Sequence, residues 1–446
     1  MFFTKCYLNN MKFQNEIGNN GWYYSLENIF TNDNYELSGS HFFDYVIVGA
    51  GFVGMAAAYR LAELAPEATI ALIDATKIGL STSGRCSGFV IDTPHKGDLL
   101  HNNKTLHKQA FKINRQGISW MEETVIKHNI DCNWNQTGKY QVAASTRAVS
   151  YLDSYKKMLD GIKEPYDVLN QKELETILGT RKYTAGVFTP GCVLIQPAAY
   201  LIGLASSLPN NVSVFENTKV ISIQSTSKGA IISTNSATIN CRKAVLSVNI
   251  YVREFNYSKN RVVPIVTYAS MSNILTKEQQ SKYQGIYDWG LTSADKGGST
   301  LRMTQDKRLV IRNHYTYTPS YQVGDKFITK LRSKHLKGLL DRYPDLEDLK
   351  IEHTWGGVCA VSRNFGFFAG KLEDNIYSCY GHSGVGAARG SLAGKSIADE
   401  IILGKSSDLD LLRKIETPCW NPPEPLLGIG VSTRLSFERY KSRSEL

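Results

Sequence analysis

Long apolar runs are missing from this sequence of 446 residues. The longest one, from Tyr45 to Ala58, contains three glycines and stops short of the ~20 residues that a membrane-spanning helix needs. The first residues, Met1 to Cys6, also lack the apolar core of a secretion signal. These absences predict a cytoplasmic protein without a transmembrane segment.

The cysteines form no pattern that would indicate a disulfide framework or a metal centre. All eight stand singly, with no Cys-x-x-Cys pair and no Cys/His cluster at zinc spacing. We therefore expect free thiols in a reducing compartment and no bound metal. Internal repeats and low-complexity segments are absent as well.

The chain also has no strong excess of one charge. The 51 Lys and Arg residues against 41 Asp and Glu give a net charge of +10, and the basic residues are scattered along the chain. We expect an ordinary solvated basic surface rather than a nucleic-acid interface. Hydrophobic residues make up 42% of the chain, which is typical of folded domains with packed cores.

A complete strand–helix–strand pattern is present between residues 44 and 74. Asp44–Val48 is a β-branched run typical of a strand buried on both faces, and Gly49–Gly54 follows it as a Gly-x-Gly-x-x-Gly turn. A helix is predicted over 55–64 and a second buried strand over 69–73. In such a turn the first glycine permits the bend, the second lets a pyrophosphate approach, and the third lets helix and strand pack closely. The helix start attracts the phosphates, and Asp74 is placed to accept hydrogen bonds from a ribose.

NAD and FAD both fit that pattern, and the next segment favours FAD. Residues 79–88 are mostly small, which allows a loop to pass along a large planar cofactor, with Ser83 and Arg85 placed to contact phosphate. An NAD dehydrogenase would usually continue with another strand and helix instead.

A second glycine-rich turn lies late in the chain. Gly381–Gly386 follows the apolar segment Tyr377–Tyr380 and precedes a helix predicted over 387–403. A helix start presents N–H groups and a positive dipole to one spot. Because reduced flavin carries negative charge at its N1–C2=O edge, such a turn would stabilise the reduced state.

These motifs resemble those of the D-amino-acid oxidase-like flavoproteins, the superfamily of glycine oxidase, sarcosine oxidase and γ-glutamylputrescine oxidoreductase. The segment Gly79–Gly88 is similar to the family's Gly-Ala-Ser-Gly-Arg-Asn-Gly-Gly loop, with Thr82, Cys86 and Ser87 in place of the alanine, the asparagine and one glycine. The similarity extends over about residues 42–404. Asn20–Tyr23 and the Pro-Pro-Glu-Pro tail point to the γ-glutamylputrescine oxidoreductase-like subgroup.

The resemblance implies that the chain binds FAD. The strand around 217–220 matches one that lays its backbone against the adenine, and Lys243–Asn249 is similar to a strand that ends near the cofactor. A non-covalent cofactor is expected. The alternative is a thioether to Cys359, because some sarcosine oxidase relatives join a cysteine to the flavin. The residues expected to bind FAD are Gly49, Gly51, Phe52, Val53, Gly54, Asp74, Ala75, Ser83, Gly84, Arg85, Cys86, Ser87, Gly88, Val220, Asn249, Gly384, Val385 and Gly386.

The resemblance also implies oxidation of an amine, by hydride transfer from its α-carbon to flavin N5 and hydrolysis of the imine. A substrate with a carboxylate needs a fixed cation, and arginine can bind both oxygens. Arg302 and Arg312 lie on a predicted hairpin, and Arg302 is the first choice, against an ordinary surface arginine. His382 is predicted to contact substrate or ring, or else to be structural. Tyr268 and Trp355 are predicted to wall the pocket, with plain core packing as the alternative.

The predicted fold class is α/β: a glutathione-reductase-like Rossmann FAD-binding domain with an interleaved α+β substrate domain built on an antiparallel sheet. The predicted divisions are an N-terminal extension (1–41), a discontinuous FAD-binding domain (42–97, 195–250 and 352–404), a substrate domain (98–194 and 251–351) and a C-terminal tail (405–446).

The predicted function is FAD-dependent oxidation of a small amine or amino acid at a C–N bond, with oxygen, a quinone or a carrier protein as electron acceptor. One alternative is an NAD(P)H-dependent flavoprotein hydroxylase, although a second nucleotide motif is lacking. Another is a non-catalytic flavin-bearing interaction or assembly protein that docks a partner through residues 1–41 or the tail. A homo-oligomer or a partner protein is compatible with any of these.

Overall fold

A computed structural model describes residues 17–26, 36–94, 103–282 and 288–446. The strands are β1 Gly39–Val48, β2 Ile70–Ile73, β3 Phe89–Val90, β4 Lys139–Ala143, β5 Asp167–Asn170, β6 Ala185–Thr189, β7 Val193–Leu194, β8 Val212–Phe215, β9 Val220–Thr226, β10 Gly229–Thr234, β11 Ala237–Leu246, β12 Val263–Ser272, β13 Trp289–Ser293, β14 Thr300–Met303, β15 Leu309–Tyr317, β16 Ile351–Val361, β17 Phe368–Glu373 and β18 Ile376–Tyr380. The helices are α1 Gly21–Tyr24, α2 Phe52–Leu64, α3 Lys104–His128, α4 Thr146–Ile162, α5 Gln171–Leu178, α6 Pro197–Ser206, α7 Lys277–Ser281, α8 Asp325–Leu340, α9 Gly386–Leu403, α10 Ser407–Leu412 and α11 Leu426–Lys441.

The first sheet is the predicted doubly wound layer. Its strands run in the order β17-β18-β11-β1-β2-β8, and the hairpin β9–β10 joins it at β11. Strands β18, β11, β1, β2 and β8 are parallel, with Val46 opposite Ala244 on one side and Ala71 on the other. Val46 and Ile47 are fully buried because both faces of the strand are covered. The sheet confirms the predicted α/β class.

Helices α2, α3 and α9 pack closely together over this sheet. A side chain at Gly394 would place its Cβ 2.0 Å from the carbonyl oxygen of Val53, and one at Gly117 would lie 2.2 Å from that of Ala388. The glycines therefore allow helix backbones to touch. Because α3 packs on α9, this part of the predicted substrate segment 98–194 contributes to the core of the first layer.

The second sheet follows the order β16-β12-β15-β14-β13-β4-β6-β5 and is antiparallel except for the β13–β4 pair. The predicted hairpin is present: β14 and β15 pair, and the Thr304 N–H donates to the carbonyl of Arg308 across the turn (2.9 Å). Strand β16 pairs with β12 in this sheet. Residues 351–361 therefore belong to the antiparallel sheet, whereas the sequence placed residues 352 onward in the FAD-binding domain.

The predicted N-terminal extension is described only in part. Ile17, Trp22 and Tyr23 are buried, and Gly18 forms a β-bridge with Trp355. Residues 39–41 already belong to β1. Residues 1–16 and 27–35 of the extension lie outside the described residues.

A buried histidine lies between α8 and the second sheet. The His335 Nδ1 shares a hydrogen bond of 2.7 Å with the hydroxyl of Ser270, which in turn bonds Thr354 (2.9 Å). Burial lowers the pKa of His335 from an ordinary 6.5 to about 3. Below pH 6.5 the His335 side chain therefore binds a proton in the unfolded chain but not in the folded chain. Stability consequently falls as the pH decreases.

We expect the free energy of unfolding to drop by about 2 kcal/mol between pH 7.5 and pH 5 on account of this one side chain. A His335→Asn variant keeps a polar group for Ser270 but does not titrate, so its unfolding free energy should vary less over the same range. Urea unfolding at a series of pH values measures both curves. Curves that run parallel from pH 7.5 to 5 would contradict the assignment.

Candidate active site

A cavity of about 1260 Å³ lies between the two sheets. Its walls include the carboxyl ends of β1 and β2, the starts of α2 and α9, one face of the antiparallel sheet, and α11. Ligands of open α/β sheets bind outside the carboxyl ends of the strands, so the position is the expected one.

The first glycine turn needs each of its three glycines. Gly49 has φ +100°, and Gly51 lies where a Cβ would be 2.5 Å from the Ser83 hydroxyl. A Cβ on Gly54 would lie 1.7 Å from the carbonyl oxygen of Gly49. Gly49, Gly51, Phe52 and Val53 line the cavity, whereas Gly54 lies behind it and lets helix and strand meet. The predicted division of roles among the glycines fits this geometry.

Asp74 follows β2 and lines the cavity. Its carboxylate accepts hydrogen bonds from the N–H groups of Ala50 (2.8 Å) and Thr76 (2.9 Å) and from the Thr76 hydroxyl. Burial raises the pKa of this carboxyl, while the three donors oppose the rise. These bonds orient the group, and a carboxylate has further lone pairs for a ribose. Ala75, which follows it, is also in the wall.

The loop after β2 passes beside the first turn. The Phe52 N–H donates to the Ser83 hydroxyl (3.3 Å), and Ser83, Cys86 and Ser87 line the cavity. Gly84 and Gly88 do not. A Cβ on Gly84 would lie 2.0 Å from the carbonyl oxygen of Gly79, and a Cβ on Gly88 would lie 2.3 Å from that of Ile195. Gly84 and Gly88 thus allow close packing of the backbone, which corrects their prediction as cofactor contacts.

Arg85 is in the cavity wall, but its guanidinium binds protein carbonyls. It donates to Leu80 (2.6 Å), Ile17 (3.1 Å) and Gly356 (3.2 Å). The predicted phosphate contact does not match this geometry, because these donors are used to hold the loop. The fully buried Trp355 donates from its indole N–H to the Arg85 carbonyl (3.0 Å). Trp355 is absent from the wall, so its prediction as a wall residue was wrong; it fixes the loop from behind.

Two predicted cofactor residues on other strands also reach the cavity. Val220 begins β9 and lines it beside Lys219, at the end where Asp74 lies. Asn249 lines it too, and its side-chain oxygen accepts a hydrogen bond from the Gly381 N–H (3.1 Å). Asn249 therefore ties the chain after β11 to the second glycine turn.

The second turn places the start of α9 at the cavity. Gly381 and Gly384 have positive φ values of +87° and +92°, and nothing lies within 4 Å of a Cβ built on Gly384. Gly384, Gly386 and Ala387 line the cavity, whereas Val385 does not, which corrects that prediction. No side chain caps the start of α9. Its first N–H groups and the helix dipole are therefore available to a negatively charged group.

His382 lines the cavity, as predicted. Its ring lies 5.4 Å from the Phe367 ring centroid and packs against Gly386, and its Nε2 contacts the Cys379 thiol (3.9 Å). Burial and the charge of Arg389 lower the pKa of His382 to about 4. The ring is therefore neutral at pH 7. A catalytic contact of His382 stays a prediction.

The antiparallel sheet supplies alternate side chains to the other half of the cavity, which we call the substrate half. Ile265, Thr267 and Ala269 of β12 line it. Tyr268 points the other way: it is fully buried, it packs on Phe327 of α8, and its hydroxyl bonds that of Thr316 (2.6 Å). Successive residues of a strand face opposite sides, so the prediction of Tyr268 as a pocket wall was wrong.

The two hairpin arginines have different surroundings. Arg302 is buried and outside the wall: its guanidinium pairs with Asp288 (3.4 Å), donates to the Ile195 carbonyl, and lies 5.2 Å from the Trp22 ring centroid. Arg312 lies opposite Thr300 on the paired strand and lines the substrate half. Arg302 is therefore not placed to meet a ligand in the cavity, which corrects its choice as the substrate cation, whereas Arg312 is placed to do so. Both project from one sheet face, but the segments around Gly88 and Ile195 cover Arg302.

Two free cysteines also lie in the wall. Cys86 and Cys359 both line the cavity. Burial raises the pKa of Cys86 to about 11 and also raises that of Cys359. The thiolate is the reactive form of cysteine, so both groups are held as thiols at neutral pH. Non-covalent binding of the cofactor stays a prediction.

The tail forms part of the wall, which the sequence did not indicate. Leu427, Val431 and Leu435 of α11 line the substrate half, together with Arg434 and Arg439. The end of the chain is held by buried contacts: the Glu445 carboxylate lies 3.7 Å from Arg342, and the Glu445 carbonyl accepts from Ser299 (2.8 Å). The one sequence pattern that predicts this packing is the amphipathic spacing after residue 426, which indicates that one face of the helix is buried.

Comparison with known proteins places this geometry in context. A family model described as FAD dependent oxidoreductase matches residues 44–400. Among curated relatives, a probable oxidoreductase OrdL of Haemophilus influenzae is 24% identical over 391 residues (84% of this chain and 86% of the relative). The gamma-glutamylputrescine oxidoreductase of Escherichia coli is 25% identical over 385 residues (82% of this chain and 85% of the relative).

Solved structures share the fold. Glycine oxidase from Geobacillus kaustophilus superposes with a TM-score of 0.70 at 18% identity, covering 86% of this chain and 100% of that one. L-amino acid deaminase from Proteus myxofaciens gives 0.66 at 15% identity, covering 84% and 93%. Among the helices described for this chain, none combines the length and the apolar character needed to cross a membrane.

Proposed function

The chain belongs to the family of FAD-dependent oxidoreductases, and from this premise we propose that it oxidises a carboxylated amine or an amino acid at the C–N bond. The family match confirms three predictions from the sequence: the family resemblance, the cofactor FAD and the enzymatic nature of the protein. The observation that carries the proposal is one continuous cavity, which joins two glycine turns suited to FAD with a wall that presents Arg312.

The residues present fit FAD. The first turn and Asp74 form a cradle at one end, where a Cβ on Gly51 would intrude. At the other end the uncapped start of α9 offers N–H groups beside the open space at Gly384. The 1260 Å³ cavity has room for a dinucleotide and a small substrate. When bound, FAD supplies an acceptor for the hydride of the substrate's α-carbon.

Arg312 is proposed to hold the substrate carboxylate. Its guanidinium is fixed by hydrogen bonds to the hydroxyls of Thr300 (2.5 Å) and Tyr315, and its central carbon lies 5.2 Å from the Tyr315 ring centroid. A planar guanidinium held in this way binds both oxygens of a carboxylate in one orientation. Arg312 would thus direct the amine end of the substrate along the cavity.

Positive charge around the substrate half would help to keep the amine neutral. Lys296, Arg434 and Arg439 lie in the same wall as Arg312. In the described part of that wall the one acidic side chain is that of Glu438, which is paired with Arg434 (2.6 Å). Nearby cations disfavour an ammonium ion, and only the neutral amine has the lone pair that supports the developing iminium.

We expect an Arg312→Met variant to lose about 2–4 kcal/mol of binding to a carboxylated amine, a decrease of roughly 30- to 1000-fold in affinity. Methionine keeps the length and removes the charge. The measurement is anaerobic bleaching of the flavin absorbance near ~450 nm, after a screen of amines and amino acids with the unaltered enzyme.

The control is the matching amine without a carboxylate, whose bleaching should change little in the variant. Equal affinity of both proteins for the carboxylated substrate would remove Arg312 from the site. The finer points of substrate identity, electron acceptor and cytoplasmic location stay predictions.

A further inference from the structure

Exposed hydrophobic side chains are concentrated near the end of the chain. Of the twelve large ones exposed in the described residues, five lie between positions 420 and 440: Trp420, Leu426, Ile429, Phe437 and Tyr440. Their exposed fractions range from 47% for Phe437 to 65% for Tyr440. Scattered exposed hydrophobics need no explanation, but a contiguous group on one element does.

Four of the five form one stripe on α11. At 3.6 residues per turn, Leu426, Ile429, Phe437 and Tyr440 fall within a sector about 80° wide. Leu427, which packs with Val263 and Ile265 in the core, projects from the other side of the helix. Leu427, Val431 and Leu435 thus close the substrate half of the cavity from one side of α11. Ile429, Phe437 and Tyr440 project to solvent from the opposite side, and Leu426, at the start of the helix, borders both.

Cations border this stripe on both sides. The Lys441 ammonium lies 4.1 Å from the Phe437 ring centroid, and the Arg443 guanidinium lies 4.5 Å from that of Tyr440. Arg434 lies next to Lys441 on the helical projection, whereas Arg439 lies about 80° beyond Ile429 and donates to the Tyr315 carbonyl (3.1 Å). The one acid between residues 426 and 443 is Glu438, which is turned inward and largely buried. Apart from Thr433, the centre of this exposed face is apolar, with Lys441 and Arg434 along one edge and Arg443 at the end of the other.

We propose that this face docks on an anionic lipid surface. A helix that lies in the membrane interface has such a stripe, with aromatic and aliphatic groups entering the acyl boundary and Lys and Arg meeting the lipid headgroups. Trp420, exposed just before the helix, is a residue type suited to that boundary. A second copy of the chain is a poorer partner, because a two-fold contact would bring the same basic edges against each other.

Docking would hold the substrate half of the cavity beside the lipid, since α11 forms part of both surfaces. It requires no membrane-spanning helix. It is also independent of the proposed reaction, because Ile429 and Phe437 are outside the cavity wall.

The test is co-sedimentation of the FAD-loaded full chain with vesicles. One set contains phosphatidylcholine alone, and the other contains about a quarter phosphatidylglycerol, at about 0.1 M and about 0.5 M salt. We expect binding to the anionic vesicles that weakens strongly at the higher salt. A double Ile429→Asp and Phe437→Asp variant should bind at least about tenfold more weakly, and Arg443→Glu about fivefold.

The matched control is Val168→Asp, because Val168 is equally exposed (59%) but lies on β5, far along the chain from α11. It should bind like the unaltered enzyme. Retention of the flavin colour shows that each variant is folded. Failure of the unaltered enzyme to bind anionic vesicles, or equal binding by the double Asp variant, would overturn the proposal. So would a dimer in analytical ultracentrifugation that the double variant dissociates, since the stripe would then be an interface between copies.

Discussion

A Gly54→Ala variant should fail to retain FAD, with an affinity at least about 100-fold lower than that of the unaltered enzyme. The added Cβ would lie 1.7 Å from the Gly49 carbonyl oxygen. That oxygen belongs to the backbone of the same turn, so the helix can move away only by opening the cradle for the pyrophosphate. Overpacking of this kind costs about 1–3 kcal/mol or more, and each 1.4 kcal/mol is tenfold in affinity.

The measurement is titration of the apoprotein with FAD, followed by the quenching of flavin fluorescence. Gly324→Ala is the matched control, because nothing lies within 4 Å of a Cβ there and its φ of −75° suits any residue. Apoprotein stability is recorded for both variants by urea unfolding. An affinity of Gly54→Ala equal to that of the control would show that the turn does not hold the cofactor.

Replacement of Arg302 should destabilise the protein rather than weaken substrate binding. Arg302 and Asp288 are each 2% exposed at the side chain and 3.4 Å apart. An Arg302→Met variant leaves the Asp288 carboxylate buried without its cation, although Asn135 still donates to it (2.9 Å). Removing one partner of a buried ion pair costs about 3–5 kcal/mol, and we expect a loss of that size in the free energy of unfolding.

Chemical unfolding of Arg302→Met, and of a double variant that also carries Asp288→Asn, gives the measurement. The double variant should recover part of the loss, because no unpaired charge remains in the core. Arg312→Met is the comparison, since it should lose substrate affinity and little stability. A stable Arg302→Met protein that binds a carboxylated substrate poorly would instead return Arg302 to the active site.

Much of the cofactor end was predictable because it is local in sequence. Gly49, Gly51, Gly54 and Asp74 belong to one strand–helix–strand unit, so their spacing alone determines how they meet. The second turn was recognisable for the same reason, since the glycines stand directly before α9. Only Val385 failed there, because a turn predicted from glycines does not reveal which of its residues faces the cavity.

The substrate half depends on contacts between distant segments. Tyr268 keeps the regular alternation of β12, in which Ile265, Thr267 and Ala269 face the cavity. The register shift at this point lies in β15, where His314 is the extra residue. Alternation within one strand does not reveal which of its two faces meets the cavity. Arg302 and Arg312 share a face, and only the chain around Gly88 and Ile195 decides which of them reaches the cavity. The contribution of α11 likewise comes from packing of the tail across the sheet.

The central claim is that the early and late glycine turns hold opposite ends of one FAD molecule. Crystals of the purified enzyme with FAD bound test it most directly. The expected density shows the pyrophosphate at the start of α2, the adenosine ribose at Asp74, and the flavin ring between Gly384–Gly386 and the sheet face that presents Arg312. Density that places the flavin away from the start of α9, or the pyrophosphate away from Gly49–Gly54, would contradict the account.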